Sequence, residues 1–302
     1  MEEMTTGLCP KCGHTLQIPA ELERFSCMYC GERLTKRQLL TQPEEASCSE
    51  EDCAVSFDHA VSRLGWCVQN FRGYQKKILR DAFFEAFETY ETGCAPVIQE
   101  LNSGVRPERQ TELLDRAAEA MLGELSAGWE KKNDMEDEKV ILAIFFVPMV
   151  RKLQLPVSEE FVSLLQKKWV ERYPKSPFYL GDYESISGGF RKKFLGLCFI
   201  TTAVCQELDK PDDCAELTAF RAFRDGYLAA QPDGEALIRE YYNIAPGIVT
   251  CINTCSDRHA SYERIREQYL TPCYEDLLAG RNADCKTRYV QMVRDLEREY
   301  LN

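Results

Sequence analysis

The sequence predicts a mainly α-helical protein, in which multi-helix bundle domains follow a small β ribbon. Three observations lead to this prediction: a pair of Cys-x-x-Cys-Gly motifs near the N-terminus, apolar residues at helical spacing over most of the chain, and no alternating strand pattern of useful length after residue 40. With 302 residues, of which 44% are hydrophobic, the chain is long enough for one large or two medium domains.

The two N-terminal motifs are Cys9-Pro-Lys-Cys12-Gly and Cys27-Met-Tyr-Cys30-Gly, with fourteen residues between Cys12 and Cys27. Two cysteines at this spacing on a tight turn can aim both sulfurs at one ion, and two such turns complete a tetrahedral site. The glycine after each second cysteine lets the chain adopt a positive φ. We therefore expect residues 1–40 to form a zinc ribbon. Four sulfur ligands leave no open position, so the zinc is expected to be structural.

Two disulfides in a secreted chain are the alternative for these four cysteines. The first residues, Met-Glu-Glu-Met-Thr-Thr-Gly, are acidic and lack the basic and apolar regions of a signal peptide. The chain has fifteen cysteines, an odd number that favours reduced thiols over a disulfide framework. The sequence therefore predicts a cytoplasmic protein.

The charge and the apolar runs narrow the class of partner. A net charge of −12 disfavours nucleic acid, because phosphate binding depends on clustered Lys and Arg. Residues 1–40 carry five basic and five acidic side chains, so the ribbon is not a basic patch. The longest apolar run, residues 140–150, contains Pro148 and is too short to cross a bilayer. It predicts a buried helix, and we expect no membrane partner.

Residues 41–54 are polar and acidic, without a periodic apolar face, and predict a linker after the ribbon. Cys48 and Cys53 have no usual metal spacing and are interpreted as exposed, incidental thiols. Apolar residues then recur at helical spacing up to Pro174, and Gly188-Gly189 precedes a new segment. The predicted division is a helical domain over 55–187 and a second one over 188–302.

The most distinctive strings of the helical part lie in the second of these domains. They are Cys198-Phe-Ile-Thr-Thr-Ala-Val-Cys205, Pro211-Asp-Asp-Cys214-Ala-Glu-Leu, Phe220-Arg-Ala-Phe-Arg-Asp225-Gly-Tyr-Leu and Tyr241-Tyr-Asn-Ile-Ala-Pro246-Gly-Ile. On these motifs, residues 194–253 resemble the CFI-box family, bacterial proteins with a Cys-Phe-Ile-x-Thr-Ala box, an Arg-x-Phe-Arg-Asp helix and a Tyr-Tyr-x-x-x-Pro turn. In some members the box ends an exported protein and has been taken for a sorting signal. This chain lacks a signal peptide and continues about fifty residues past the motifs, so the resemblance implies a module and no particular reaction.

The residues of this module allow more than one interpretation. Asp213 and Glu216, three residues apart, predict a capping box at a helix start. Arg221 and Asp225 are four apart and predict an intrahelical pair on a solvated face. The alternative is that Arg224 pairs inward with a carboxylate, or with carbonyl groups near Tyr241 and Tyr242, in a structural role.

The cysteines of the module could also carry chemistry. Cys198, Cys205 and Cys214, with Cys251 and Cys255 further on, could ligate a second metal or an iron–sulfur cluster. Their spacings match no known cluster motif, so we interpret them as core residues, with a redox thiol as the alternative. A Cys–His dyad of Cys198 with His59 or His259 rests on no local signature, and the third histidine, His14, lies in the ribbon.

Two functional hypotheses follow. The first is a cytosolic helical adaptor whose zinc ribbon docks a partner protein. The second is a thiol- or metal-dependent enzyme with its site around Cys198 and Arg224. A pocket with convergent polar groups at these residues would favour the enzyme, and a dry core there would favour the adaptor. The predicted ligands of the structural zinc, Cys9, Cys12, Cys27 and Cys30, are the same under either hypothesis. In both, the candidate functional cluster is Cys198, Cys205, Cys214, Arg221, Arg224 and Asp225.

Overall fold

The computed structural model describes residues 4–8, 15–19, 22–29, 31–36, 49–131, 133–191 and 198–302. The chain divides into two compact units, Met1–Cys53 and Ala54–Asn302. Short strands occupy the first unit and helices fill the second. The predicted fold class, mainly α with a small β part, is therefore confirmed.

The N-terminal unit contains two antiparallel strand pairs. Strand β1 (Met4–Leu8) pairs with β2 (Thr15–Pro19), and β3 (Arg24–Ser26) pairs with β4 (Arg33–Thr35). A small apolar cluster holds this unit, because the buried Leu16, Cys27 and Leu34 pack together with the half-buried Phe25.

The turn between β3 and β4 is the second Cys-x-x-Cys-Gly motif. Gly31 has a φ of 72°, the left-handed conformation that the sequence predicts for this position. Its N–H donates to the carbonyl oxygen of Cys27 over 2.8 Å, and the N–H of Cys27 donates to that of Glu32 over 2.8 Å. The chain thus reverses direction between β3 and β4, with Cys27 buried in the turn.

Helices account for most of the remaining described chain. The first seven are α1 (Glu50–Leu64), α2 (Trp66–Gln69), α3 (Phe83–Gly104), α4 (Gln110–Ala127), α5 (Asp134–Ile141), α6 (Val147–Lys152) and α7 (Ser158–Arg172). They are followed by α8 (Tyr183–Arg191), α9 (Phe199–Glu207), α10 (Ala215–Ala222), α11 (Gly234–Cys255), α12 (Arg258–Ile265), α13 (Thr271–Leu278) and α14 (Asn282–Tyr300). Short π-helical segments extend α5, α10 and α12, at Leu142–Phe146, Phe223–Leu228 and Arg266–Leu270.

One apolar core runs through the helical unit, from Phe57 to Leu301. Within the apolar run at 140–150, residues 141–150 are all buried, which confirms the predicted buried helix. Phe83 of α3 stacks on Phe190 of α8 with ring centroids 4.3 Å apart, so early and late helices share this core. Among the described residues, no helix is both long and apolar enough to cross a membrane.

Helix α11 packs against residues 78–81, a segment that is far from it in the sequence. Pro246 lies inside this helix, and the N–H of Arg80 donates to the carbonyl oxygen of Asn243 over 3.0 Å. The side-chain amide oxygen of Asn243 accepts from the N–H of Asp81 over 3.1 Å. A Cβ at Gly247 would lie 2.0 Å from the carbonyl oxygen of Ile78. The Pro-Gly pair of the Tyr-Tyr-x-x-x-Pro motif therefore serves close packing, because only glycine lets the backbone approach this far.

Two predictions about local structure are wrong. The capping box at Asp213 and Glu216 does not form, because α10 begins at Ala215 with Cys214 as the N-cap residue, and the Glu216 carboxylate accepts from Lys210 instead. Cys53 is buried in α1, although its polar surroundings in the sequence predicted exposure.

The predicted domain boundaries remain predictions. Most of the linker, 41–54, lies outside the described residues, and the boundary at 188 falls inside α8.

Candidate functional site

A pocket lies in the region that the sequence singles out. Its wall is mostly apolar, and its empty volume is about 610 Å³, open solvent at the mouth included. The wall is formed by side chains from α10 and its π-helical extension, from α11 and from α14, with Cys198 just before α9. Cys198 and Arg224, two members of the candidate cluster, line this pocket together.

Arg224 is the polar centre of the pocket. Its side chain is 11% exposed, and its Nη1 donates to the hydroxyl of Tyr242 over 3.0 Å and to the sulfur of Cys198 over 3.6 Å. Nε and Nη2 donate to the two carboxylate oxygens of Asp225 over 2.6 and 2.8 Å. These hydrogen bonds lower the pKa of Asp225 and raise that of Arg224. Arg224 thus does point inward, to the Tyr242 hydroxyl and the Cys198 sulfur and not to carbonyl groups, whereas its carboxylate partner, Asp225, is exposed.

The π-helical turn explains why Arg224 pairs with the residue next to it. Arg224 and Asp225 both lie in Phe223–Leu228, where i→i+5 bonding inserts an extra residue and shifts the side chains away from α-helical spacing. The pair predicted between Arg221 and Asp225 is therefore wrong. Arg221 donates instead to Asp212, over 2.7 Å to its carbonyl oxygen and 2.8 Å to its carboxylate.

Cys198 lies at the pocket as a protonated thiol. It precedes the first residue of α9 as the N-cap and is 3% exposed. Burial raises its pKa, and the nearby guanidinium of Arg224 offsets this shift only in part. Near neutral pH the group is therefore a thiol, which is a weak nucleophile.

The two adjacent tyrosines each satisfy a different polar group. The hydroxyl of Tyr241 accepts from the N–H of Ile200 over 3.0 Å, one of the first-turn N–H groups of α9 that have no partner within the helix. Tyr242 takes the bond from Arg224. Burial raises the pKa of both tyrosines, so both hydroxyls are protonated at neutral pH. The Tyr-Tyr string thus fixes the start of α9 and the end of the Arg224 side chain.

Sequence reasoning missed Tyr289 as a member of the site. Its ring lies 5.9 Å from that of Tyr241, and its hydroxyl is 3.3 Å from the hydroxyl of Thr201. The sequence does hold a signal, because Tyr289, Val293, Leu296 and Tyr300 recur every three or four residues along α14, and the first two line the pocket. Such spacing indicates one face of a helix, but it does not indicate what that face packs against.

Cys205 and Cys214 do not line the pocket at Cys198 but lie next to each other elsewhere in the helical unit. Their sulfurs are 3.8 Å apart, with Cys205 buried and Cys214 half-buried, beside a second cavity. Burial, together with the Cys214 thiol, raises the pKa of Cys205 to about 12. The structure thus divides the candidate cluster. Cys198 and Arg224 line the first pocket, and Asp225 binds Arg224 from the solvent side. The other two cysteines form a pair, and Arg221 binds Asp212.

The candidate metal ligands are only partly described. Cys9, Cys12 and Cys30 lie outside the described residues, and Cys27 occupies the knuckle turn. Within the described residues, no group of three or more His, Cys, Asp or Glu side chains is placed to hold a metal ion.

Both described histidines pair with glutamates. The Nδ1 of His59 is 2.7 Å from Glu100, and that of His259 is 3.4 Å from Glu207. Neither histidine lines the pocket at Cys198. His14 lies outside the described residues. The contacts of the thiol at Cys198 are therefore with Arg224 and not with a general base of this kind.

Comparisons with known proteins add no relative. No family model matches the chain, and no match is found among curated proteins or among solved structures. The resemblance to the CFI-box family therefore stays a prediction that rests on the four motifs.

Proposed function

We propose that this chain is a cytosolic adaptor, in which a zinc-stabilised N-terminal unit docks a partner protein. The observation that carries the proposal is the apolar surface at the knuckle turn, where Met28 is 75% exposed and Tyr29 is 57% exposed. Leu22, just before β3, is 42% exposed in the same unit. Met28 and Tyr29 are called the knuckle tip below, and Leu22, at the other end of β3, is not part of it.

The composition of the knuckle tip favours a protein partner. Met and Tyr are enriched in the centres of protein interfaces, where they fill pockets on the other molecule. Among the described residues of this unit, three form the buried apolar cluster, so two large side chains exposed to solvent are a substantial part of its apolar surface. The chain's charge of −12 makes a phosphate backbone a poor partner. A structural zinc at Cys27 would hold the turn rigid and so reduce the entropy lost on docking.

Site-specific photo-crosslinking in cells tests this proposal. A photoreactive amino acid at Tyr29 should give one discrete adduct, and the Met28→Asp substitution should reduce its yield about tenfold or more, as expected for loss of a central apolar contact. The matched control places the same photoreactive residue at Arg33, which is exposed on β4 of the same unit. Equal adducts from both positions, or an adduct that Met28→Asp does not change, would contradict docking through the knuckle tip. Zinc content of the Met28→Asp variant verifies that its ribbon is intact.

The pocket at Cys198 supports a second candidate, a thiol- or metal-dependent active site. The convergence of Cys198, Arg224 and Tyr242 favours it. The mostly apolar wall and the raised pKa of the thiol favour binding of an apolar small molecule over nucleophilic attack. We therefore rank the adaptor first.

Alkylation of the native protein separates the two candidates. If Cys198 is not a nucleophile, iodoacetamide near neutral pH should label it at least about tenfold more slowly than the half-buried Cys214. A chelator should not change this rate. Rapid labelling of Cys198, or labelling that appears only after chelation, would place the active-site candidate first.

A further inference from the structure

Cys205 and Cys214 are placed to react with each other. Cys205 lies near the end of α9 and Cys214 is the N-cap residue of α10, so the two thiols face each other across the loop that joins these helices. Their sulfurs are 3.8 Å apart, which is van der Waals contact, and they are nine residues apart in the chain. A disulfide needs about 2.05 Å between sulfurs, a change that side-chain rotation and small backbone shifts can supply.

The loop itself holds the thiols in this arrangement. The N–H of Lys210 donates to the carbonyl oxygen of Cys205 over 2.9 Å, and the N–H of Cys214 donates to that of Pro211 over 3.0 Å. The side chain of Lys210 bonds to Glu216, and Arg221 bonds to Asp212. These contacts fix both ends of the loop, so the two cysteines do not have to find each other by diffusion of a free segment.

Access distinguishes this pair from the other neighbouring thiols. Two other pairs of thiols are neighbours, because Cys94 raises the pKa of Cys67 and Cys273 raises that of Cys285, but all four residues are fully buried. Cys214 is half-exposed, and a cavity with an empty volume of about 520 Å³, open solvent included, is lined by Cys205, Lys210 and Glu216. Because Cys214 itself is half-exposed, a small oxidant can reach it from solvent without unfolding the helices, and the cavity lies on the Cys205 side of the pair.

We propose that Cys205 and Cys214 form a reversible disulfide when the protein meets a small-molecule disulfide oxidant. The thiolate of Cys214 attacks one sulfur of the oxidant, forms a mixed disulfide and releases one thiolate of the oxidant. The thiolate of Cys205, after losing its proton to solvent, attacks the Cys214 sulfur and releases the second. Two protein thiols are oxidised and one oxidant disulfide is reduced to two thiols.

The environment assigns the order of these two steps. Burial raises the pKa of Cys205 to about 12, so little of it is thiolate near neutral pH. Cys214 is the more accessible thiol, because it is half-buried whereas Cys205 is buried. Cys214 is therefore the attacking residue and Cys205 the resolving one. The second step is intramolecular, so the small thiolate fraction of Cys205 is offset by its position next to the mixed disulfide.

The bond would link α9 to α10, the two helices beside the pocket at Cys198. Phe220 of α10 lines both cavities, and Cys198 immediately precedes α9. Oxidation of the pair thus fixes the spacing of two walls of that pocket. This inference does not depend on the knuckle tip or on zinc.

Mass spectrometry of the full chain tests the inference. The protein is incubated with oxidised glutathione, its remaining thiols are alkylated in denaturant, and it is cleaved after Glu207, which separates the two cysteines. We expect one species in which the Cys205 and Cys214 peptides are linked, and dithiothreitol should restore two alkylatable thiols. The pairs at Cys67 and Cys273 are internal controls and should stay reduced.

Two variants make the result decisive. Cys214→Ser keeps a good N-cap residue and should abolish the reaction of both cysteines. Cys205→Ser should stop the reaction at one glutathione bound to Cys214. The inference is overturned if the wild-type chain also stops at that mixed disulfide, if Cys205 and Cys214 link only after unfolding, or if the fully buried pairs link to the same extent.

Discussion

Replacing Gly247 by alanine should strongly destabilise the helical unit, although the substitution adds only one methyl group. The new Cβ would lie 2.0 Å from the carbonyl oxygen of Ile78, an atom of the backbone that cannot rotate away. An unstrained carbon–oxygen contact is about 3.3 Å, so Ile78 and α11 must separate by about 1.3 Å. Ile78 is fully buried, and this movement disturbs the packing around it.

The expected magnitude combines three effects. Overpacking of this kind costs about 1–3 kcal/mol. The separation also weakens the two hydrogen bonds from Arg80 and Asp81 to Asn243, each contributing about 0.5–1.5 kcal/mol. The higher helix propensity of alanine returns up to about 1 kcal/mol. We expect the free energy of unfolding to fall by about 2–4 kcal/mol.

Urea unfolding of the full chain, followed by circular dichroism at helical wavelengths, measures this loss. The matched control is Gly188→Ala in α8, where a Cβ would meet nothing within 4 Å. Because only propensity changes there, stability should stay the same or rise by up to about 1 kcal/mol. If Gly247→Ala is as stable as Gly188→Ala, the close approach of Ile78 to α11 does not exist in solution, and the packing role assigned to the Pro-Gly pair is refuted.

Three other substitutions test separate parts of the structure. Cys27→Ser should remove one zinc per chain and unfold the N-terminal unit while helical circular dichroism persists, because the predicted site loses a ligand. Tyr241→Phe should lower the free energy of unfolding by about 1–3 kcal/mol, since it leaves the buried N–H of Ile200 without an acceptor. Asp276→Asn should destabilise the protein near neutral pH, because the buried Asp276 carboxylate pairs with Arg281. The hydrogen bond from Arg281 is the main cause of the lowered pKa of Asp276.

The controls for these three are equally specific. For Cys27, unchanged zinc content in the variant would show that the ribbon assignment is wrong. For Tyr241, the exposed Tyr179 is the matched position, and Tyr179→Phe should change stability little. For Asp276, the ionised carboxylate stabilises the folded state because its pKa is lower there than in the unfolded chain. This stabilisation is fully present above the unfolded-state pKa of about 3.9, and it is lost as the pH falls through the folded-state pKa. The wild-type chain and Asp276→Asn should therefore converge in acid, and a gap that widens there would contradict the assignment.

The periodic parts of this fold could be predicted from the sequence, because they depend on neighbours along the chain. The apolar run at 140–150 predicted a buried helix, and the Cys-x-x-Cys-Gly string predicted the positive φ of Gly31. The π-helical turn at Phe223–Leu228 could not be predicted, since i→i+4 and i→i+5 bonding produce no distinct residue pattern over six residues. The pairing of Arg221 was wrong for that reason.

The long-range parts of the candidate site could not be read from the sequence at all. Cys198 and Arg224 were singled out as residues, but their contact with one another depends on how α9 and α10 pack. Tyr289 reaches Thr201 over 88 positions, and no local pattern encodes that distance. Likewise, the N-cap at Cys214 follows from where the loop ends, which the Asp213 to Glu216 spacing misplaced by one residue.

The contact between residues 78–81 and α11 also affects folding during translation. Asp81 and its acceptor Asn243 are 162 positions apart, so at ordinary translation rates the partner emerges on the order of 10–30 s later. Until then the segment after α2 has no place to bind, and the apolar faces of the early helices stay uncovered. The nascent chain is therefore most vulnerable to aggregation and most dependent on chaperones during this interval, and a premature stop before α11 would leave a product that cannot complete its own core.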